Sequence, residues 1–189
     1  MHAPQAVEPG ILPKNEIVAF IEESILEKDI LNIQLQDKNF LINPRKIVFL
    51  DGELSLVAEG LNDKCLLNIS IESITQVHEE NIEWTPQFSK LEIEDFISSL
   101  RAISENEVRL VLKIYNREYF DNGVSHHYFG RPCMFTNPDG DFIWAASIEP
   151  NEDIYEWLSQ LGTDIEILDP IDFKKDFLNY CEGKLKKLA

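Results

Sequence analysis

The chain has 189 residues, enough for one large domain or two small ones, and its 44% hydrophobic and 10% aromatic content lets it bury a core unaided. Seventeen Lys and Arg against 34 Asp and Glu leave a formal net charge of −17, spread as 8 basic and 19 acidic residues through residue 105 and 9 and 15 beyond it. That balance argues against autonomous duplex DNA binding, which needs clustered cations against phosphate, and no run approaches the roughly 18 apolar residues of a membrane span.

The first 13 residues hold three prolines and a glycine without period and read as a loose tail. Asn15 is placed to cap a helix on which Ile17, Phe20, Ile21 and Ile25 recur at helical spacing. From Ile30 to Val77 the pattern changes to short β segments: Leu31–Leu35, Phe40–Ile42, Ile47–Phe49, Leu54–Ala58 and Cys65–Ile71. Turn signals at Asp37-Lys38-Asn39, Asn43-Pro44, Asp51-Gly52 and Gly60–Asp63 separate them. Five short strands in so short a stretch suggest a small closed barrel, since closure removes exposed sheet edges.

The polar run His78–Asn81 and the breaker Pro86 mark a boundary, followed by a connecting helix over Leu91–Ile103. Val108, Leu110, Leu112 and Ile114 then alternate as a strand. A short helical turn near Tyr115–Phe120 and β segments at Val124–Phe129 and Cys133–Thr136 come next. Asn137-Pro138-Asp139-Gly140 is a turn, and Phe142–Ile148 is a strand. Pro150 opens a helix with Glu152 and Asp153 in its first turn, Ile154, Trp157, Leu158 and Leu161 as its apolar stripe, and Gly162 as its stop. Ile165–Leu168 is a strand, and Asp169-Pro170 leads into a last helix carrying Phe173, Phe177, Cys181 and Leu185. The densest basic group, Lys184, Lys186 and Lys187, sits at that helix's C-terminal end, where cations complement the macrodipole. The order β-α-β-β-α-β-α is that of a ferredoxin-like split βαβ with one added helix.

This order resembles the WYL family with its C-terminal extension domain, over about residues 15 to 188. The resemblance is carried by Trp157-Leu158, Leu161-Gly162, Ile167-Leu168 and Asp169-Pro170 in the extension. In the barrel it is carried by Asn43-Pro44, Asp51-Gly52, Leu54–Ala58, and Ile71, Ile74 and Val77. It implies an α+β chain: an N-terminal helix and small Sm/SH3-like β-barrel, a connecting helix, then a ferredoxin-like αβ C-terminal extension. The expected divisions are a flexible tail over 1–13, a barrel domain over 14–80, a helix-bearing linker over 81–106 and the extension over 107–189. The sequence departs from the family signature at Leu54 and Ser55, where Trp and Tyr are usual, while Leu56 agrees. Ser73 stands where the family carries a ligand-lining Arg, which a hydroxyl replaces poorly at a phosphate. About fourteen residues precede the first helix, too few for the winged helix-turn-helix with which most such regulators begin.

The resemblance implies a non-enzymatic effector-sensing regulatory module whose ligand is a single-stranded nucleic acid or a nucleotide, held by Arg45, Lys46, Ser55 and Ser73. The alternative is a degenerate interaction module that binds no ligand and associates with a second copy or with a basic protein surface. Arg45 and Lys46 also read as plain surface charges, and Arg131, Tyr128 and His127 form a second possible ligand cluster. Trp84, Trp144 and Trp157 read as core. No cofactor is expected. A metal site from His126, His127, Cys133 and Asp141 is not expected either, because adjacent strand residues point to opposite faces. The three cysteines form no C-x-x-C pair, which together with the lack of a secretory signal points to a reduced, cytoplasmic protein. No Gly-rich phosphate loop, nucleophile elbow or H-E-x-x-H motif suggests an enzyme.

Overall fold

The computed structural model describes residues 13–103, 106–116, 120 and 126–188. The expected tail lies outside them except for Pro13, as do residues 117–119, most of the helical turn expected before Phe120. The chain divides into two compact units, Met1–Val48 with Glu53–Leu100, and Phe49–Gly52 with Arg101–Ala189.

The first unit opens with α1 (Lys14–Glu27), which starts two residues earlier than the Asn15 cap predicts. Pro13 occupies the N-cap position with φ −55°, and its carbonyl accepts from the amides of Glu16 and Ile17. Proline's fixed φ and missing N–H suit a helix start, so no side-chain cap is needed. Five strands follow: β1 (Ile30–Leu35), β2 (Lys38–Leu50), β3 (Glu53–Gly60), β4 (Leu66–Ser70) and β5 (Ile74–Glu80). They form one sheet in the order β4-β3-β2-β1-β5, with antiparallel ladders β1–β2, β1–β5 and β3–β4.

Three expectations change here. Asn43-Pro44 is no turn: the two segments predicted on either side of it are one 13-residue strand, β2. A strand tolerates Pro where one ladder donor can be spared, and proline's φ permits extended backbone. The segment expected to run through Ile71 stops at Ser70, and a 3-10 turn over Ile71–Ser73 leads into β5. His78–Glu80 belong to β5, paired with Asn32, Leu31 and Ile30 of β1, so the polar run is a strand end and not a linker. The Asp51-Gly52 signal does mark a hairpin: both residues have positive φ (51° and 83°), as a type I′ turn requires.

Ile17 and Ile21 of α1 pack with Leu31, Ile33, Ile42, Ile47, Leu56 and Ala58 in one buried cluster. Burying each such aliphatic side chain stabilises by about 1.5–3 kcal/mol. The helix α2 (Lys90–Ile103) begins at a capping box, Ser89-x-x-Glu92. The Ser89 amide donates to Glu92 Oε2 (2.8 Å) and the Glu92 amide to Ser89 Oγ (3.3 Å), which satisfies two otherwise orphaned donors.

The second unit contains β6 (Val108–Ile114), β7 (Gly130–Thr136), β8 (Phe142–Ile148), α3 (Glu152–Leu161), β9 (Ile165–Asp169) and α4 (Ile171–Leu188). Its sheet has the order β7-β8-β6-β9 with every ladder antiparallel. Leu110, Leu112 and Ile114 meet Trp144, Ile154, Trp157, Leu158 and Phe173 in the core, as the alternation in β6 and the stripe on α3 predict. His126–Tyr128 form a 3-10 turn where a strand is expected over Val124–Phe129; Val124 and Ser125 lie outside the described residues. Asn151, not Pro150, caps α3, its side chain accepting from the Ile154 amide at 3.1 Å. Gly162 ends that helix at φ 54°. On α4, Phe173 is buried but Leu185 is 67% exposed, so the predicted apolar face splits in two.

Candidate functional site

Alternation in β3 puts Leu54, Leu56 and Ala58 on the face that joins the core of the first unit. Ser55, Val57 and Glu59 share the other face, and all three are buried, Glu59 at 0% exposure. A carboxylate without water must find donors. Glu59 has three: the Arg45 guanidinium, which pairs with Oε1, and the Trp84 indole N–H (3.2 Å) and Gln87 amide (2.9 Å), both donating to Oε2. Arg45 also donates to the Phe88 carbonyl at 3.1 Å. The irregular stretch 81–89 is thus tied to β2 and β3 through one buried ion pair.

Lys46, next along β2, reaches Glu94 Oε1 at 2.6 Å in the first part of α2. Arg45 and Lys46 are therefore brought together with acidic partners supplied by the chain itself. Burial lowers the Arg45 pKa, yet a guanidinium stays charged at any ordinary pH. Its Nη1 pairs with Glu59 and donates to the Phe88 carbonyl, so a carboxylate of the chain itself already neutralises the charge a phosphate would need.

The two serines sit together by a different route. Ser55 is buried and lies opposite Ser70 in the β3–β4 ladder. Ser73 is exposed and donates to the Ser70 carbonyl at 2.6 Å. Both thus converge on Ser70, but Ser55 is closed to solvent.

In the second unit, Tyr128 donates to Asp153 Oδ2 at 2.5 Å, and burial followed by that carboxylate pushes its phenol up to about 12. His127 is buried and Arg131 is exposed with φ 46°, at the irregularity in β7 between Gly130 and Cys133. Arg109 fills that irregularity, donating to the carbonyls of Gly130 (3.4 Å) and Arg131 (3.1 Å) and lying 3.2 Å from Cys133 Sγ. Asp141 is ion-paired with Lys113 at 2.9 Å, which holds its carboxyl below the usual range. Cys133 and Asp141 therefore have partners of their own, apart from the adjacent histidines. Trp144 and Trp157 are core residues, whereas Trp84 is only half-buried and serves the Glu59 carboxylate.

No protein-family model matches the chain, and no curated protein matches it. Among solved structures, the proteasome accessory factor B/C (PafBC) of Arthrobacter aurescens is similar at 15% identity and a TM-score of 0.36. The match covers 98% of this chain and 28% of that one. A CRISPR Cas-related protein is similar at 12% identity and a TM-score of 0.39, over 92% of this chain and 52% of that one. The chain thus spans about a quarter to a half of the length of these two proteins. Likeness this distant assigns neither family nor activity.

Glu59 is the residue that sequence reasoning missed. Its parity with Ser55 and Val57 was readable, but its donors come from Arg45, Trp84 and Gln87, which no local pattern links to β3. The Ser89-x-x-Glu92 box was a legible signal for the start of α2.

Proposed function

We propose that this chain is a non-catalytic regulatory module of WYL type that acts by protein association and does not hold an anionic ligand on its barrel-like unit. Two features of the fold support the WYL-type reading. The order β7-β8-β6-β9, antiparallel throughout, is the order a split βαβ sheet adopts. The first unit has five short-linked antiparallel strands capped by α1, the composition of a small Sm/SH3-like barrel.

The observation that carries the association reading is the Arg45–Glu59 pair. The guanidinium is already neutralised by a fully buried carboxylate that Trp84 and Gln87 also hold, so a nucleotide or oligonucleotide would have to compete with that pair for its charge. Lys46 is likewise already paired with Glu94. With a formal net charge of −17 the chain also repels polyanions at long range.

Fluorescence anisotropy of labelled single-stranded DNA and RNA, at low and physiological salt, tests this directly. A flat response at low salt, where attraction is strongest, is expected. Saturable, salt-sensitive binding that disappears in Arg45→Ala would overturn it and restore Arg45, Lys46, Ser55 and Ser73 as a ligand surface.

A further inference from the structure

The helix α4 turns one face inward and leaves another open. Phe173 is buried, and Phe173 and Tyr180 stack near Tyr155 of α3 with ring centroids 5.3 Å away in each case. Tyr180 and Lys184 both reach Glu156 of α3. On another face Ile171, Leu178 and Leu185 are 64%, 52% and 67% exposed. These three are spaced seven and seven, so they stay within about 20° of one line per heptad along the helix. One apolar residue in every seven supplies a single line of contact, half of the two-per-seven seam of a coiled coil.

Charge says which helix. At about 100° per residue, Lys175 and Glu182 are the exposed charged residues within about 60° of the stripe on one side. Two copies of α4 laid antiparallel about Leu178 set these unlike charges opposite one another: Lys175, three residues before Leu178, faces Glu182 of the other copy, four residues after it. A parallel arrangement would bring this flank against the opposite flank of the partner, and the two would not meet. The helix as a whole carries five lysines against three acids, so it is a place where two copies of so acidic a chain repel least.

We infer that a second copy of this chain covers the Ile171/Leu178/Leu185 stripe, with the two α4 helices antiparallel across a two-fold axis at Leu178. Such a contact is isologous, and the same patch closes on itself. The inference rests on the association reading above and gives it a surface and a partner.

Sedimentation of the full chain over a wide concentration range is the test. A monomer–dimer equilibrium is expected, and Leu178→Glu weakens it by about a hundredfold or more, because two like charges then meet at the axis. Leu178 is exposed, so the variant keeps its circular dichroism spectrum and melting temperature. Lys175→Glu and Glu182→Lys each weaken the dimer several-fold, and the double reversal restores it, since every facing pair is again unlike. A monomer at all concentrations, a dimer indifferent to Leu178→Glu, or a double reversal weaker than both singles would each overturn the pairing. Any of these would leave a flat anisotropy response untouched, so failure of this contact is separable from failure of the association reading.

Discussion

Replacing Arg45 with alanine leaves the Glu59 carboxylate at 0% exposure with only the Trp84 indole and the Gln87 amide as donors. Removing one partner of a buried ion pair costs about 3–5 kcal/mol, because the other charge stays desolvated and unneutralised. The Arg45 side chain is itself 20% exposed, so water can enter the vacated space and the lower end, about 3 kcal/mol, is expected. With a urea slope of roughly 2 kcal/mol/M, the unfolding midpoint then falls by about 1.5 M. Removing both charges in Arg45→Met with Glu59→Met deletes the uncompensated ion but orphans the Trp84 and Gln87 donors. Each unsatisfied donor costs about 1 kcal/mol or more, so the double variant loses about 2 kcal/mol, less than Arg45→Ala alone. Urea titration of all three proteins, followed by tryptophan emission, gives the comparison. A loss below about 1 kcal/mol in Arg45→Ala would mean the pair is solvated and Arg45 is free for other work, which would undo the site described above.

Two further outcomes concern the second unit. Tyr128 has its pKa pushed up to about 12 by burial and by Asp153, against about 10 for an unfolded tyrosine. Its neutral form therefore stabilises the fold fully below pH about 10, and that contribution is lost as pH rises through about 12. In an ultraviolet phenolate titration one tyrosine should ionise last and vanish in Tyr128→Phe; five tyrosines ionising together near pH 10 would refute the placement. Gly130 is a close approach: a Cβ built there would lie 1.6 Å from Arg101 Nη1 and 2.7 Å from its Cζ, and Arg101 is only 8% exposed. Gly130→Ala should cost about 1–3 kcal/mol through overpacking and cost far less in an Arg101→Ala background, as thermal melts of the four proteins would show. Equal losses in both backgrounds would mean the guanidinium is not what the glycine accommodates.

Much of the chain is legible without coordinates because its signals are local. Alternation over Val108–Ile114 follows from the two-residue period of a strand, and the apolar run Phe142–Ile148 after a turn also reads as one; both strands have those bounds. The stripe Ile154, Trp157, Leu158 and Leu161, with Gly162 after it, is the α3 helix and its stop. The Asp51-Gly52 dipeptide encodes its own turn, since both residues tolerate positive φ. Where a local signal competes with a ladder, the ladder wins. Asn43-Pro44 and His78–Glu80 look like breaks, yet hydrogen-bonded neighbours hold both stretches extended.

What the sequence by itself determined, then, is the class and order of elements, the acidity, and the apolar faces, all of which depend on residues close in the chain. No helix among the described residues is long and apolar enough to cross a membrane, in line with the absence of a long apolar run. The tertiary structure decided the state of the candidate site. Arg45 and Glu59 are fourteen residues apart and Lys46 and Glu94 forty-eight, and no periodicity links such positions. Whether a cation on a strand is free or neutralised depends on which distant carboxylate the fold carries beside it. Likewise the heptad of Ile171, Leu178 and Leu185 can be counted in the sequence, but its exposure follows only from α3 occupying a different face of α4.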